Sequence, residues 1–214
     1  MPIPLLDEVE VRVLGTLIEK EATTPEYYPL SLNALVNGCN QKSNRDPVVN
    51  YDAESVEAAL EGLREKKLAL FITGSGRVGK YAQRISESFN LGRRESAVLC
   101  TLLLRGPQTL GEIKDRSERM FAFGDLSETE VVLEKLSEWE GGPLVRKLGR
   151  QPGQKEARYA HLLGREPLLE TSVDAPTSAP APGRVAQLEA ELQQFRSEFE
   201  DLKARFNALE AQLR

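Results

Sequence analysis

Apolar side chains recur at helical spacing three times before the pattern changes period. Val9, Val13, Leu14, Leu17 and Ile18 fall three or four apart behind Asp7 and an acidic first turn, which predicts a helix opening near residue 7. Ser31 stands before Leu32, Leu35 and Val36 as the N-cap of a second helix, and Asp52 stands before Val56, Ala59, Leu60 and Leu63 as the cap of a third. The run "LALFIT", a tip "GSGRVG" and the run "KYAQRI" then read as two strands joined by a glycine-rich turn. The predicted order is three helices followed by a β-hairpin.

The same order returns downstream. "EVRVLGTL" (Glu10 to Leu17) is matched by "ESAVLCTL" (Glu95 to Leu102), and Ser31, Leu32 and Leu35 find counterparts in Thr109, Leu110 and Ile113. "AALEGL" from Ala58 corresponds to "VVLEKL" from Val131, and "KYAQ" from Lys80 to "RYAH" from Arg158. Trp139, at the close of the second copy's third helix, reads as a core anchor. A helical trio with a capped second helix and a closing hairpin is the pattern of a winged helix-turn-helix. The expected fold is therefore mainly α with small β-hairpins (α+β): two tandem winged helix-turn-helix domains, near residues 5–88 and 91–166, and a C-terminal coiled-coil helix.

Two further stretches differ in kind. Residues 171–183, "TSVDAPTSAPAPG", are too rich in Pro, Ala and Ser to form a core and predict an extended linker. In residues 184–214, Val185, Leu188, Leu192, Phe195, Phe199, Leu202, Phe206, Leu209 and Leu213 alternate at spacings of three and four, a heptad seam. With Val185 at an a position, the g residues Arg184, Glu191, Glu198 and Arg205 face e residues Glu189, Arg196, Lys203 and Glu210 of a parallel partner. All four pairs are opposite in charge. The seam predicts a parallel homodimer; an amphipathic helix folded back on its own domains is the alternative, and three bulky Phe in the seam keep it open.

Composition narrows the class. At 214 residues and 40% apolar content the chain can build one large core or two small ones. A formal net charge of −5 gives no overall attraction to nucleic acid, so any contact with phosphates must be local. Cys39 and Cys100 both sit inside apolar helical patterns and read as reduced core residues, with neither disulfide nor metal spacing. The start "MPIPLLDEVE" is no signal peptide, and no stretch approaches the length of a membrane span, so a cytoplasmic protein is expected.

The connection between the second and third helices of the first copy, "CNQKSNRDPV", is longer and more basic than a turn requires. Together, "PLSLNALVNGCNQKSNRDPV", "RGPQTLGEIKDRSERM" and "PGQKEARYAHLL" resemble the YceH-like family, bacterial proteins of two tandem winged-helix domains with no assigned function. The resemblance spans roughly residues 5–165 and leaves the linker and heptads outside it. It supports the fold and implies no catalytic residues.

Chemistry is sparse. The one histidine, His161, has neither Cys nor a second His to complete a triad or a metal shell and reads as structural. "GSGRVGK" lacks the Gly-Lys-Ser/Thr ending of a phosphate loop and reads as a wing tip. No enzyme, cofactor or metal is expected. Binding is the open question. The third helices, which a DNA reader would place in the major groove, carry Asp52, Glu54, Glu57, Glu61 and Glu65 in one copy and Asp125, Glu128, Glu130, Glu134 and Glu138 in the other. The cations lie in loops and wings. Lys42 and Arg45 flank Ser43 and Asn44 in the first connection, with Arg116 and Arg119 opposite them in the second copy. Arg77 and Lys80 belong to the first wing, and Arg146, Lys147, Arg150, Lys155 and Arg158 to the second.

Two functions follow. In one, favoured because DNA binding is the commonest use of such a module, a dimeric regulator grips DNA phosphates through these wings and loops, "QKSNR" serving as a lip. In the other, the acidic third helices dock a basic protein partner. For the connection itself there is also a structural reading, in which Asn40, Ser43, Asn44 and Asp46 shape the loop while Lys42 and Arg45 pair with the acidic third helix.

Overall fold

The computed structural model describes residues 3–73, 78–150 and 154–164, together with Lys203, which is helical. Residues 3–164 fall within one compact unit; a second unit begins at Val173. The heptad residues Val185, Leu188, Leu192, Phe195, Phe199, Leu202, Phe206, Leu209 and Leu213, and Arg77, expected in the first wing, lie outside the described residues.

The fold is mixed α+β: helices with small antiparallel sheets. α1 (Glu8–Thr23) opens on a capping box, in which Asp7 accepts from the Glu10 amide and Glu10 accepts from the Asp7 amide. A 3₁₀ turn (Pro25–Tyr27) leads to α2 (Leu32–Cys39), where Ser31 accepts from the Ala34 amide. α3 (Ala53–Glu65) starts where Asp52 accepts from the Ser55 amide. β1 (Ala69–Ile72) and β2 (Lys80–Gln83) form an antiparallel hairpin in the register Ala69 to Gln83 through Ile72 to Lys80. Leu30 bridges to Tyr81 on the other side of β2.

A short α4 (Ile85–Ser88) joins the copies, and the order repeats. α5 (Arg93–Arg105) matches α1, and β3 (Gln108–Thr109) leads into α6 (Leu110–Ser117), whose capping box joins Thr109 to Glu112. α7 (Leu126–Ser137) is capped by Asp125 and followed by β4 (Val145–Lys147) and β5 (Arg158–His161), in the strand order β3-β5-β4.

One apolar cluster runs through both copies, because α1 and α5 pack directly on each other. Gly15 makes the close approach possible: a Cβ there would stand 2.9 Å from Leu104 Cδ2, and the Cys100 thiol donates to the Gly15 carbonyl at 3.2 Å. Gly15 and Cys100 occupy the same place in the repeat, so the two first helices meet at matching positions. Both cysteines are buried and unpaired, as their patterns predict. Trp139 lies edge-to-face on Phe89 and donates its indole N–H to the Phe89 carbonyl. At the chain's start, the Leu6 amide donates to the Leu163 carbonyl at 2.7 Å, tying it to the end of the second hairpin.

Candidate functional site

The connection "CNQKSNRDPV" turns inward instead of outward. Arg45 is buried, and its guanidinium makes a two-pronged pair with Glu19 of α1, Nη2 to Oε2 at 2.6 Å and Nη1 to Oε1 at 3.2 Å. The same guanidinium donates to the carbonyls of Gly38 and Asn44 and to the Gln41 side chain. Arg119, from the matching loop of the second copy, reaches Glu19 Oε1 at 2.8 Å. One carboxylate thus receives an arginine from each half of the chain. Burial by itself would raise its pKa; the bonds and charge of Arg45, with help from Lys20 and Arg119, outweigh that and hold it below the usual value.

Other contacts complete the join. Arg12, also buried, donates to the carbonyls of Cys39 and Pro47 and so holds both ends of the connection. Asn44, with a positive φ of 58°, accepts from Arg105 of α5 at 2.6 Å, and the Asp46 amide donates to the Leu104 carbonyl at 3.0 Å. Asn40 exchanges both side-chain bonds with the Tyr51 backbone. The connection is long because it must cross to the first helix of the other copy. This corrects both sequence readings of Arg45. It faces no solvent as a lip, and it pairs with α1 rather than α3, because the desolvated Glu19 is the nearer and more demanding charge.

The remaining candidate cations differ in exposure. Arg116 and Arg158 share Glu112, at 3.4 and 3.0 Å. Lys42 and Ser43 are exposed on the connection's outer surface, and Lys80 is exposed on β2. Arg146, Lys147, Arg150 and Lys155 are exposed along the β4–β5 hairpin, with Lys147 5.5 Å from the centre of the Tyr159 ring.

α3 is as open as its sequence suggests, and α7 is less so, because Glu130 is half-buried and Glu128 is held by Arg94 at 3.0 Å. Glu54, Glu57, Glu61 and Glu65 all lie exposed on α3, where the one arginine, Arg64, is tied to Glu61 at 2.6 Å. Glu134 on α7 and Glu138 at its C-cap are exposed, while Lys135 is drawn off to Glu95 at 2.6 Å. Apolar side chains accompany both: Leu70, Phe71 and Ile72 on β1 beside α3, and Leu126 and Val131 on α7 itself. Sequence reasoning missed Glu19 and Arg12 altogether. Their signal was the polar line Arg12–Thr16–Glu19, at helical spacing along the border of α1's apolar face and buried throughout.

His161 is largely enclosed, which pushes its pKa down to about 4 and leaves the ring neutral at pH 7. Among the described residues no group of His, Cys, Asp and Glu is placed to hold a metal ion, and no helix is long and apolar enough to cross a membrane.

A family model described as "Protein of unknown function, DUF480" matches residues 6–154. The chain is 52% identical over 206 residues to a UPF0502 protein of Solibacter usitatus, covering 94% of this chain and 98% of the relative. It is 52% identical over 201 residues to a UPF0502 protein of Pelobacter propionicus, covering 91% of each. To a UPF0502 protein of Geotalea daltonii it is 56% identical over 174 residues, 81% of this chain and 79% of the relative.

Proposed function

Since the chain belongs to this family of unknown function, DUF480, its role must be argued from its own surface, and from that surface we propose a non-enzymatic protein-interaction scaffold. It is built of two tandem winged helices whose acidic third helices dock a basic partner. The element order and the strand order β3-β5-β4 support the winged-helix assignment. The observation that carries the function is the run of four exposed glutamates on α3, where a groove reader would present Arg, Lys, Asn or Gln. Phosphates would be repelled there, and two of the loop cations that could have offset this, Arg45 and Arg119, are spent on Glu19. A second reading rests on a separate observation: the exposed Arg146, Lys147 and Arg150 could position DNA phosphates on the second wing.

One experiment with two arms separates the readings. Immobilised full-length protein is presented with nuclease-treated lysate, alongside a variant carrying Glu57→Lys and Glu61→Lys. Retention of a partner by the first and its loss from the second is the expected result. In the other arm, a labelled DNA duplex is titrated at low salt, and no binding is expected. If the duplex does bind, and Arg146→Ala, Lys147→Ala and Arg150→Ala together flatten its salt dependence by roughly 0.9 in log–log slope per lost phosphate contact, the wing reading replaces the scaffold.

A further inference from the structure

β1 is the outer strand of its sheet, and its backbone is only half used. Tyr81 exchanges both backbone bonds with Leu30, at 2.7 and 3.0 Å, on the far side of β2. In an antiparallel ladder each residue's N–H and C=O point to one side, and paired residues point both inward or both outward. Phe71, paired with Tyr81, therefore directs its N–H and C=O away from β2, to the open edge. The Arg84 amide donating to the Leu68 carbonyl, at 2.7 Å, fixes the alternate residues as the inward-bonding set. No other described residue bonds the Phe71 backbone.

Exposed edges are commonly blunted with charge, proline or a bulge. This one presents Leu70, Phe71 and Ile72 in sequence, each 36–42% exposed. Its two faces differ. Leu70 and Ile72 share one. Phe71 lies on the other, its ring 5.1 Å from that of Tyr81 and 5.4 Å beneath the Arg64 guanidinium of α3. Burial, and after it the charges of Glu57 and Glu61, raise the Tyr81 phenol above its ordinary value, so both carboxylates act on this face.

We propose that the open edge of β1 accepts an extended peptide as an added strand, with apolar side chains over Leu70 and Ile72 and alternate Lys or Arg side chains towards the acidic face of α3. Main-chain bonds supply the affinity, and the apolar and acidic faces set the alternation. The proposal rests on the scaffold reading and adds the site and the chemistry of the partner.

The probe is a labelled, end-capped octapeptide of alternating Lys and Val, titrated against the full chain by fluorescence anisotropy at low salt. Two further versions carry N-methyl groups, on the Lys nitrogens or on the Val nitrogens. Strand addition uses every second N–H, so one methylated version loses about tenfold in affinity while the other stays close to the parent. Phe71→Pro, which removes an outward N–H and no ladder bond to β2, weakens the parent peptide by a similar factor. Equal binding by both methylated versions, or a parent affinity unmoved by Phe71→Pro in a folded variant, overturns strand addition. If Glu57→Gln with Glu61→Gln still weakens the peptide in that case, docking to the acidic helix survives. Failure of the parent peptide to bind overturns the edge proposal. The scaffold reading falls with it only if partner capture is also indifferent to charge reversal at Glu57 and Glu61.

Discussion

At Glu19, guanidinium groups from both halves of the chain converge on one carboxylate with 1% of its side chain exposed. A buried pair of this kind adds little net stability over an apolar replacement, yet removing one partner strands the other charge, at a cost of about 3–5 kcal/mol. Arg45→Ala should therefore lower the unfolding free energy of the full chain by roughly that amount. Arg119, half exposed, should cost only ~0.2–1 kcal/mol when replaced by Ala. Urea unfolding of the two variants checks the ordering, and equal losses would falsify the account. The sign with pH follows from Glu19's depressed value. Its contribution is present above the unfolded pKa near 4.5 and lost as pH falls through the lower folded one, so the gap between parent and Arg45→Ala narrows in acid. The sequence marked this connection as unusual but could not name the partner. Glu19 is one of 33 acidic residues, and what singles it out is its burial between arginines from both copies, which appears only once the chain has folded.

Elements were far more legible than contacts. The caps Asp7, Ser31, Asp52 and Thr109 work as their positions suggest, because a cap bonds an amide two or three residues away and needs no tertiary context. The strands of the first hairpin lie within "LALFIT" and "KYAQRI". α4, the 3₁₀ turn and the two-residue β3 are too short to show a period and were not foreseen. The repeat was visible as matched letters, but the packing of its two first helices on each other was not. Gly15 should report on that packing. A Cβ there already falls 2.9–3.2 Å from Leu104 and Leu103, so Gly15→Val should destabilise by about 1–3 kcal/mol through overpacking. Gly111→Ala is the matched control: its Cβ would meet nothing within 4 Å, and helix propensity favours the change by up to ~1 kcal/mol. Thermal unfolding of both variants decides whether α1 and α5 are as closely apposed as this requires. A neutral Gly15→Val would show that they are not.

For the whole molecule, the surface divides into a join spent on holding the two copies together and faces left free for others. The heptad stretch adds a further proposal. Its four complementary g–e pairs, Arg184 with Glu189, Glu191 with Arg196, Glu198 with Lys203 and Arg205 with Glu210, favour two chains side by side in register. In the fully overlapped antiparallel arrangement Arg184 would meet Arg205 and Glu191 would meet Glu198, so charge alone selects the parallel form. A parallel dimer would carry two β1 edges and two pairs of acidic helices, and simultaneous engagement of a partner with repeated basic segments would raise avidity by roughly 10²–10⁴ without any new contact. Light scattering on the full chain should give a dimer. A chain ending at Thr171, which retains every residue of both copies, should give a monomer with the same melting temperature, since the first compact unit ends at Ser172. The same association state for both would assign dimerisation, or its absence, to the body of the protein and remove the C-terminal seam from the argument.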